Sequence, residues 1–105
     1  MEKEIIDEVL EFRNERDWER FHTPENLAKS LSIEAGELLE CFQWKPEYDK
    51  QEASEELADI LIYAILMAES MGVDSNQIIR DKLVKNGQKY PVDKSKGNST
   101  KYNKF

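Results

Sequence analysis

Glu34 and Glu37 form one acid pair, and Glu56 and Asp59 form another, each pair spaced three residues apart. On a helix, residues three apart are neighbours on one face, so each pair sets two like charges together. At about 100° per residue, Leu27, Leu31, Leu38 and Cys41 all fall within about 60° of Glu34. Glu34 therefore stands inside an apolar stripe. Glu37 lies at the stripe's edge, and Glu40 falls on the wet side. Glu56 and Asp59 occupy the turn that leads into the apolar run Ile60-Leu61-Ile62-Tyr63-Ala64-Ile65-Leu66-Met67-Ala68, and Tyr63 lies one turn beyond Asp59 on the same face. A carboxylate isolated among apolar groups either carries a large desolvation cost or shifts towards its neutral form. A cation removes both the desolvation problem and the repulsion. Four carboxylates with no histidine or thiolate among them make a hard oxygen site, suited to Mg²⁺ or Mn²⁺. Two other readings stay open. Acid pairs of this spacing occur by chance on solvated helices, and a buried Arg13 or Arg16 could take the place of a metal.

Other residues carry chemistry less specifically. Trp18 and Trp44 follow the first two expected helices and could frame one end of a bundle. Aromatic faces there can stack nucleobases or simply fill the edge of a core. His22 is the only histidine, in an expected loop, where a surface or capping role is the ordinary one. Lys82, Lys85, Asn86 and Lys89 share one face of a helix by their spacing. That stripe can reach phosphates, Lys82 and Asn86 best of all; lysines in a last turn also complement the helix dipole.

These residues need elements to position them. Ile5, Ile6, Val9 and Phe12 have helical spacing, giving a first helix from Glu2 to about Trp18. Thr23-Pro24 reads as a cap and first helical residue of a second helix, which runs to Phe42 or Gln43 before Pro46. Asp49 with Glu52 caps a third helix that ends at Met71 against Gly72. Asp74 with Gln77 opens a fourth, ending near Tyr90 before Pro91. No run alternates as a strand would. The expected fold is all-α: a four-helix bundle formed by residues 1–91, with a basic polar tail over residues 92–105. The third helix is apolar on every side, which calls for burial all round. Three partner helices in so small a domain cover it poorly, so the bundle is expected to be completed by homo-oligomerisation, as a homodimer or a homotetramer.

Composition narrows the function classes. The 105 residues suit one domain, with 39% hydrophobic and 35% charged residues. Twenty-two acidic against fifteen basic residues give a net charge of −7, which argues against a binder of duplex DNA. Residues 91–105 carry four lysines against Asp93, so the acidic surplus is concentrated in the first ninety residues. No apolar stretch approaches the roughly 20 residues of a membrane span, and the start Met1-Glu2-Lys3-Glu4 lacks a secretory pattern. The lone Cys41 suits a reducing compartment, so a cytoplasmic location is expected.

Glu34-Ala35-Gly36-Glu37 followed by Glu56-Leu57-Ala58-Asp59 resembles the ExxE…ExxD motif of the all-α MazG-type nucleoside triphosphate pyrophosphohydrolases. The segments Phe12 to His22, Glu37 to Trp44, Asp59 to Tyr63, Lys82 to Pro91 and Ser99-Thr100-Lys101-Tyr102 resemble the dCTP-pyrophosphatase branch of that family. The resemblance spans nearly the whole chain. It implies Mg²⁺-dependent cleavage of a nucleoside triphosphate to the monophosphate and pyrophosphate, with dCTP or modified pyrimidine nucleotides as candidate substrates, in nucleotide-pool clean-up. It also implies that Glu34, Glu37, Glu56 and Asp59 hold the metal, and that Trp18, His22, Trp44 and Tyr63 contact the nucleotide. Glu37, at the stripe's edge, is the carboxylate best placed to act on the attacking water. One departure stands out: some members of the branch have a histidine two residues before Glu11, where this chain has Val9, which weakens a preference for dCTP. A non-catalytic nucleotide- or metal-binding regulatory bundle is the alternative. A carboxylate-bridged di-iron bundle ranks low, because it needs Glu-x-x-His ligation and His22 lies outside both acid pairs.

Overall fold

The computed structural model describes residues 1–97. Every regular element in them is helical: α1 (Lys3–Glu15), a 3₁₀ turn (Glu19–Phe21), α2 (Pro24–Glu40), α3 (Lys50–Ser70), α4 (Ser75–Lys89) and α5 (Val92–Ser95). The chain divides into two compact units, one ending at Val73 and the other beginning at Asp74.

Side-chain caps set the three long helix starts. Thr23 Oγ1 accepts from the Asn26 N–H at 3.2 Å, with Pro24 as the first residue of α2. Asp49 Oδ1 accepts from the N–H groups of Gln51 (2.9 Å) and Glu52 (3.2 Å) at the start of α3. Asp74 Oδ1 accepts from the Gln77 N–H at 2.9 Å and opens α4. Each cap satisfies N–H groups that have no partner within the helix.

The helix ends are set by left-handed residues and tightened turns. At the end of α3, Gly72 has φ +70°; its N–H donates to the Glu69 carbonyl, and the Val73 N–H donates to Ala68. This is a Schellman motif. The end of α1 repeats it with a residue that lacks glycine's freedom. Asp17 has φ +55°, its N–H donates to Asn14, and the Trp18 N–H donates to the Arg13 carbonyl at 3.2 Å. Hence α1 stops at Glu15, short of the expected Trp18. Likewise α2 stops at Glu40 instead of Phe42 or Gln43. There the N–H groups of Cys41, Phe42 and Gln43 turn to the carbonyls three residues back, which tightens the last turn. The expected tail also differs: Pro91 precedes a short fifth helix, α5, whose Ser95 N–H returns to the Pro91 carbonyl. The expected motif residues Ser99, Thr100, Lys101 and Tyr102 lie outside the described residues.

The core of the first unit lies mainly between α2 and α3, with α1 also packed on α3. Leu27 is 1% exposed, and Cys41, Ala53, Ile65, Leu66 and Ala68 are buried with it. Burial raises the pKa of the Cys41 thiol, whose Sγ lies 3.5 Å from the Glu37 carbonyl, so Cys41 is a packed, protonated side chain. Within the single chain, α3 is not buried all round. Leu57, Leu61 and Ile62 are 48%, 43% and 39% exposed, because α1 and α2 cover only part of its circumference.

Candidate active site

Packing α2 against α3 brings Glu34, Glu56 and Asp59 to one point. One carboxylate oxygen from each lies within 4.8 Å of the others. Glu34 and Glu56 are half-buried and Asp59 is exposed. Oε2 of Glu34 and Oε2 of Glu56 are buried with no hydrogen-bond partner, an arrangement that normally carries a clear cost. Glu37 is exposed, one turn along α2, and lies outside this closest set. It is still near enough to act on both buried glutamates. The Glu34 carboxyl is pushed up to about 7, first by burial, then by hydrogen bonding with Glu56 and Glu37, then by the charges of Glu37 and Asp59. For Glu56, the hydrogen bond with Glu34 pulls the pKa down. Burial, Glu37 and Asp59 more than offset that, and the net direction is upward.

This donor set fits a hard divalent cation. It supplies oxygens from two helices, with acceptor atoms left over and surplus negative charge that only a cation or a proton can relieve. The arginine alternative fails on geometry. The Arg13 ion pair goes to Glu19 at 3.8 Å. Arg16 donates to the Phe12 carbonyl at 2.9 Å, with its guanidinium 3.5 Å from the centroid of the Phe12 ring.

Asp59 also lines a cavity of about 460 Å³ between α1, α3 and the loop after α1. Its apolar wall is Ile5, Val9 and Phe12 from α1 with Ile62 and Leu66 from α3. The polar wall is Glu8, Arg13, Trp18, His22, Tyr63 and Asp59 itself. The left-handed Asp17 turns the chain so that Trp18 comes back over Phe12, with ring centroids 5.9 Å apart at 69°. His22 stands next in the row, 6.5 Å from Trp18 at 61°. Burial, and then the Arg13 charge, lower the His22 pKa below its ordinary value, so the imidazole is neutral at pH 7. Its Nδ1 is buried without a partner.

Three of the four residues that the sequence marks for nucleotide contact, Trp18, His22 and Tyr63, thus share one cavity wall. Trp44 does not. It is 91% exposed, sits at φ +66°, and is absent from the cavity lining. Lys82 and Asn86 belong to the second unit, four residues apart on α4, with Lys82 exposed and Asn86 half-buried. Sequence reasoning missed the apolar wall. Ile5, Val9 and Phe12, at helical spacing, read as core, and so did Ile62 and Leu66; the same periodicity serves a packed face and a lined cavity alike.

The chain is similar to known proteins. The MazG-like family profile matches residues 29–105. The mouse protein dCTP pyrophosphatase 1 is 43% identical over 102 residues, covering 88% of this chain and 60% of the relative. The human protein of that name is 38% identical over the same shares. The chain therefore spans about 60% of the length of these relatives. Among solved structures, a pyrophosphatase from Archaeoglobus fulgidus superposes with a TM-score of 0.76 at 41% identity, covering 85% of this chain and 91% of that one. With Glu34 meeting Glu56 and Asp59 across α2 and α3 and the family profile spanning both acid pairs, the chain belongs to the MazG-like family.

Proposed function

We propose that this protein is an enzyme, a nucleoside triphosphate pyrophosphohydrolase that cleaves (deoxy)nucleoside triphosphates to the monophosphate and pyrophosphate with Mg²⁺, or Mn²⁺ in its place. The observation that carries this reading is the double role of Asp59. It belongs to the carboxylate cluster and to the wall of the aromatic cavity. Phosphate chemistry and base recognition therefore adjoin on one side chain. The dCTP pyrophosphatases at 38–43% identity support a pyrimidine substrate such as dCTP.

Glu34, Glu56 and Asp59, joined by Glu37, would hold the cation. A divalent cation held there would supply charge neutralisation of the triphosphate and orientation of the phosphorus under attack. Glu37 is exposed at the rim of the cluster, and it orients the water and takes its proton as the new P–O bond forms and the α–β phosphoanhydride bond breaks. Trp18 and Tyr63 hold the base, and neutral His22 offers it a hydrogen bond. Lys82 and Asn86 are proposed as phosphate contacts on their spacing along one face of α4, with Lys85 and Lys89 on the same face.

Further proposals concern the assembly. Leu57 and Leu61 on α3, together with Ile33 and Leu39 on α2, leave apolar area that a second copy would cover, which supports a homodimer or homotetramer. Trp44, bulky, exposed and in a left-handed conformation, would reach a nucleotide only in such an assembly. We place the hydrolase domain in residues 1–91 and a basic tail in 92–105. No helix among the described residues is long and apolar enough to cross a membrane, and the single free thiol fits the cytoplasm.

The test is a panel of nucleoside triphosphates with and without Mg²⁺, following pyrophosphate release. Release that requires Mg²⁺ is expected. A folded protein that releases none from any member of the panel overturns the reading and leaves a binding or regulatory bundle.

A further inference from the structure

Arg13 is the one buried charged side chain among the described residues, 7% exposed, and it lines the cavity rather than the carboxylate cluster. A guanidinium carries five N–H donors and no acceptor, and it does not lose its proton. Its Nε donates to Asn14 Oδ1 at 2.9 Å. The contact with Glu19 is 3.8 Å long, beyond hydrogen-bond range. The terminal nitrogens therefore keep donor capacity for a molecule that enters the cavity. His22, on the same wall, has a buried Nδ1 with no partner. The acceptors on the wall are committed elsewhere or wet: Asp59 belongs to the carboxylate cluster and Glu8 is exposed. Arg13 is thus the one guanidinium on the polar edge of an otherwise apolar and aromatic chamber.

We propose that Arg13, with His22 beside it, reads the base of the bound nucleotide and selects bases that carry a ring carbonyl, so that adenine is disfavoured; this rests on the nucleotide reading above. Uracil, thymine, cytosine, guanine and hypoxanthine all present a carbonyl oxygen, and adenine presents none. Hypoxanthine and adenine have nearly the same shape and differ in a carbonyl against an amino group, which makes them the cleanest pair. The guanidinium donates to the carbonyl oxygen and, in hypoxanthine and guanine, to the neighbouring N7 as well, whereas an amino group facing it sets donor against donor. A bidentate pair of this kind discriminates by about ten- to a hundredfold.

The experiment measures equilibrium binding by calorimetry with Mg²⁺ present, using the α,β-imido analogues of dITP and dATP, which are not cleaved. The wild type is expected to bind the hypoxanthine analogue about ten- to a hundredfold tighter. Arg13→Met keeps the aliphatic stem and should bring that ratio to about one, while Arg13→Lys, with a single-point donor, should keep part of it. A purely structural role for Arg13 would weaken both analogues alike and leave the ratio unchanged, which overturns the proposal. A wild-type ratio near one overturns it too, even where the Met variant fails to fold by circular dichroism. Pyrophosphate release from the ordinary triphosphates is followed in parallel. Release without base ranking sinks this proposal alone, ranking without release sinks the hydrolase reading alone, and no binding of either analogue sinks both.

Discussion

Binding of Mg²⁺ to the α2–α3 carboxylates should expel a proton, and the amount follows from Glu34. Its carboxyl titrates at about 7 because burial, then Glu56 and Glu37, and then the charges of Glu37 and Asp59 all favour the neutral form. Without a cation, Glu34 is about nine-tenths protonated at pH 6, half protonated at pH 7 and one-tenth protonated at pH 8. A cation needs the ionised form, so the apparent Mg²⁺ affinity should fall about tenfold from pH 8 to pH 6 through this group alone. Glu56, also shifted upward, steepens the fall. The stability of the metal-free protein moves in the opposite sense. A carboxyl whose pKa is raised on folding binds its proton more tightly in the folded state. Its stabilisation is complete below the unfolded value of 4.5 and is lost as pH rises towards about 7. Calorimetric titration with Mg²⁺ in two buffers of different ionisation enthalpy reads the proton release directly. About one proton per cation at pH 6, about half at pH 7 and almost none at pH 8.5 is expected. Glu34→Gln should remove the Glu34 share of that release and flatten the pH dependence of the metal-free melting temperature between pH 5 and 8. An affinity independent of pH from 6 to 8, or binding without proton release at pH 6, would refute the argument.

Asp59→Asn should cost more than either function it joins: pyrophosphate release should fall roughly a hundredfold or more, beyond the 10–100-fold typical of outer-shell changes at metal sites, and Mg²⁺ should no longer raise the melting temperature. Thr23→Ala removes the acceptor for the Asn26 N–H and should destabilise the protein by about 1 kcal/mol, read as a lower urea midpoint with unchanged slope. Asp17 holds φ +55°, so Asp17→Gly should raise stability by up to about 1 kcal/mol, while Asp17→Val should lower it by at least that much and loosen Trp18, seen as a shift in tryptophan fluorescence.

What was legible in the sequence was whatever short-range chemistry decides. The caps Thr23, Asp49 and Asp74 are local hydrogen bonds, and each appears where an oxygen side chain precedes an apolar period. Gly72 stops α3 because a left-handed residue is needed there, and glycine announces itself. Asp17 and Trp44 adopt the same region without announcing it, so the ends of α1 and α2 came out too late. The meeting of Glu34 with Glu56 and Asp59 was legible because carboxylates in an apolar stripe need a partner. The cavity was not, since periodicity marks a covered face without saying whether packing or a ligand covers it. The exposure of Leu57, Leu61 and Ile62 was equally hidden: an apolar run reports a need for cover, and nothing in it says which chain supplies that cover.

The arrangement along α3 explains why one helix can serve both ends of a substrate. Glu56, Asp59, Tyr63 and Leu66 follow one another at spacings of three and four, so they form one face about 15 Å long at the helical rise. The polar end of that face meets Glu34 of α2, and the apolar end meets Ile5, Val9 and Phe12 of α1 across the cavity. The nucleotide proposed as substrate, a charged polyphosphate joined to a flat base, would call for those two environments in that order. Because α3 is a single unbroken helix from Lys50 to Ser70, the separation between them is fixed by hydrogen-bonded backbone and not by a loop. The burial of Ala53, Ile65, Leu66 and Ala68 then holds the helix in register against its neighbours. A shift of one residue would rotate Asp59 by about 100° and part it from both Glu34 and the cavity. The apolar run that makes α3 hard to cover is therefore also what keeps the carboxylates and the aromatic cavity aligned.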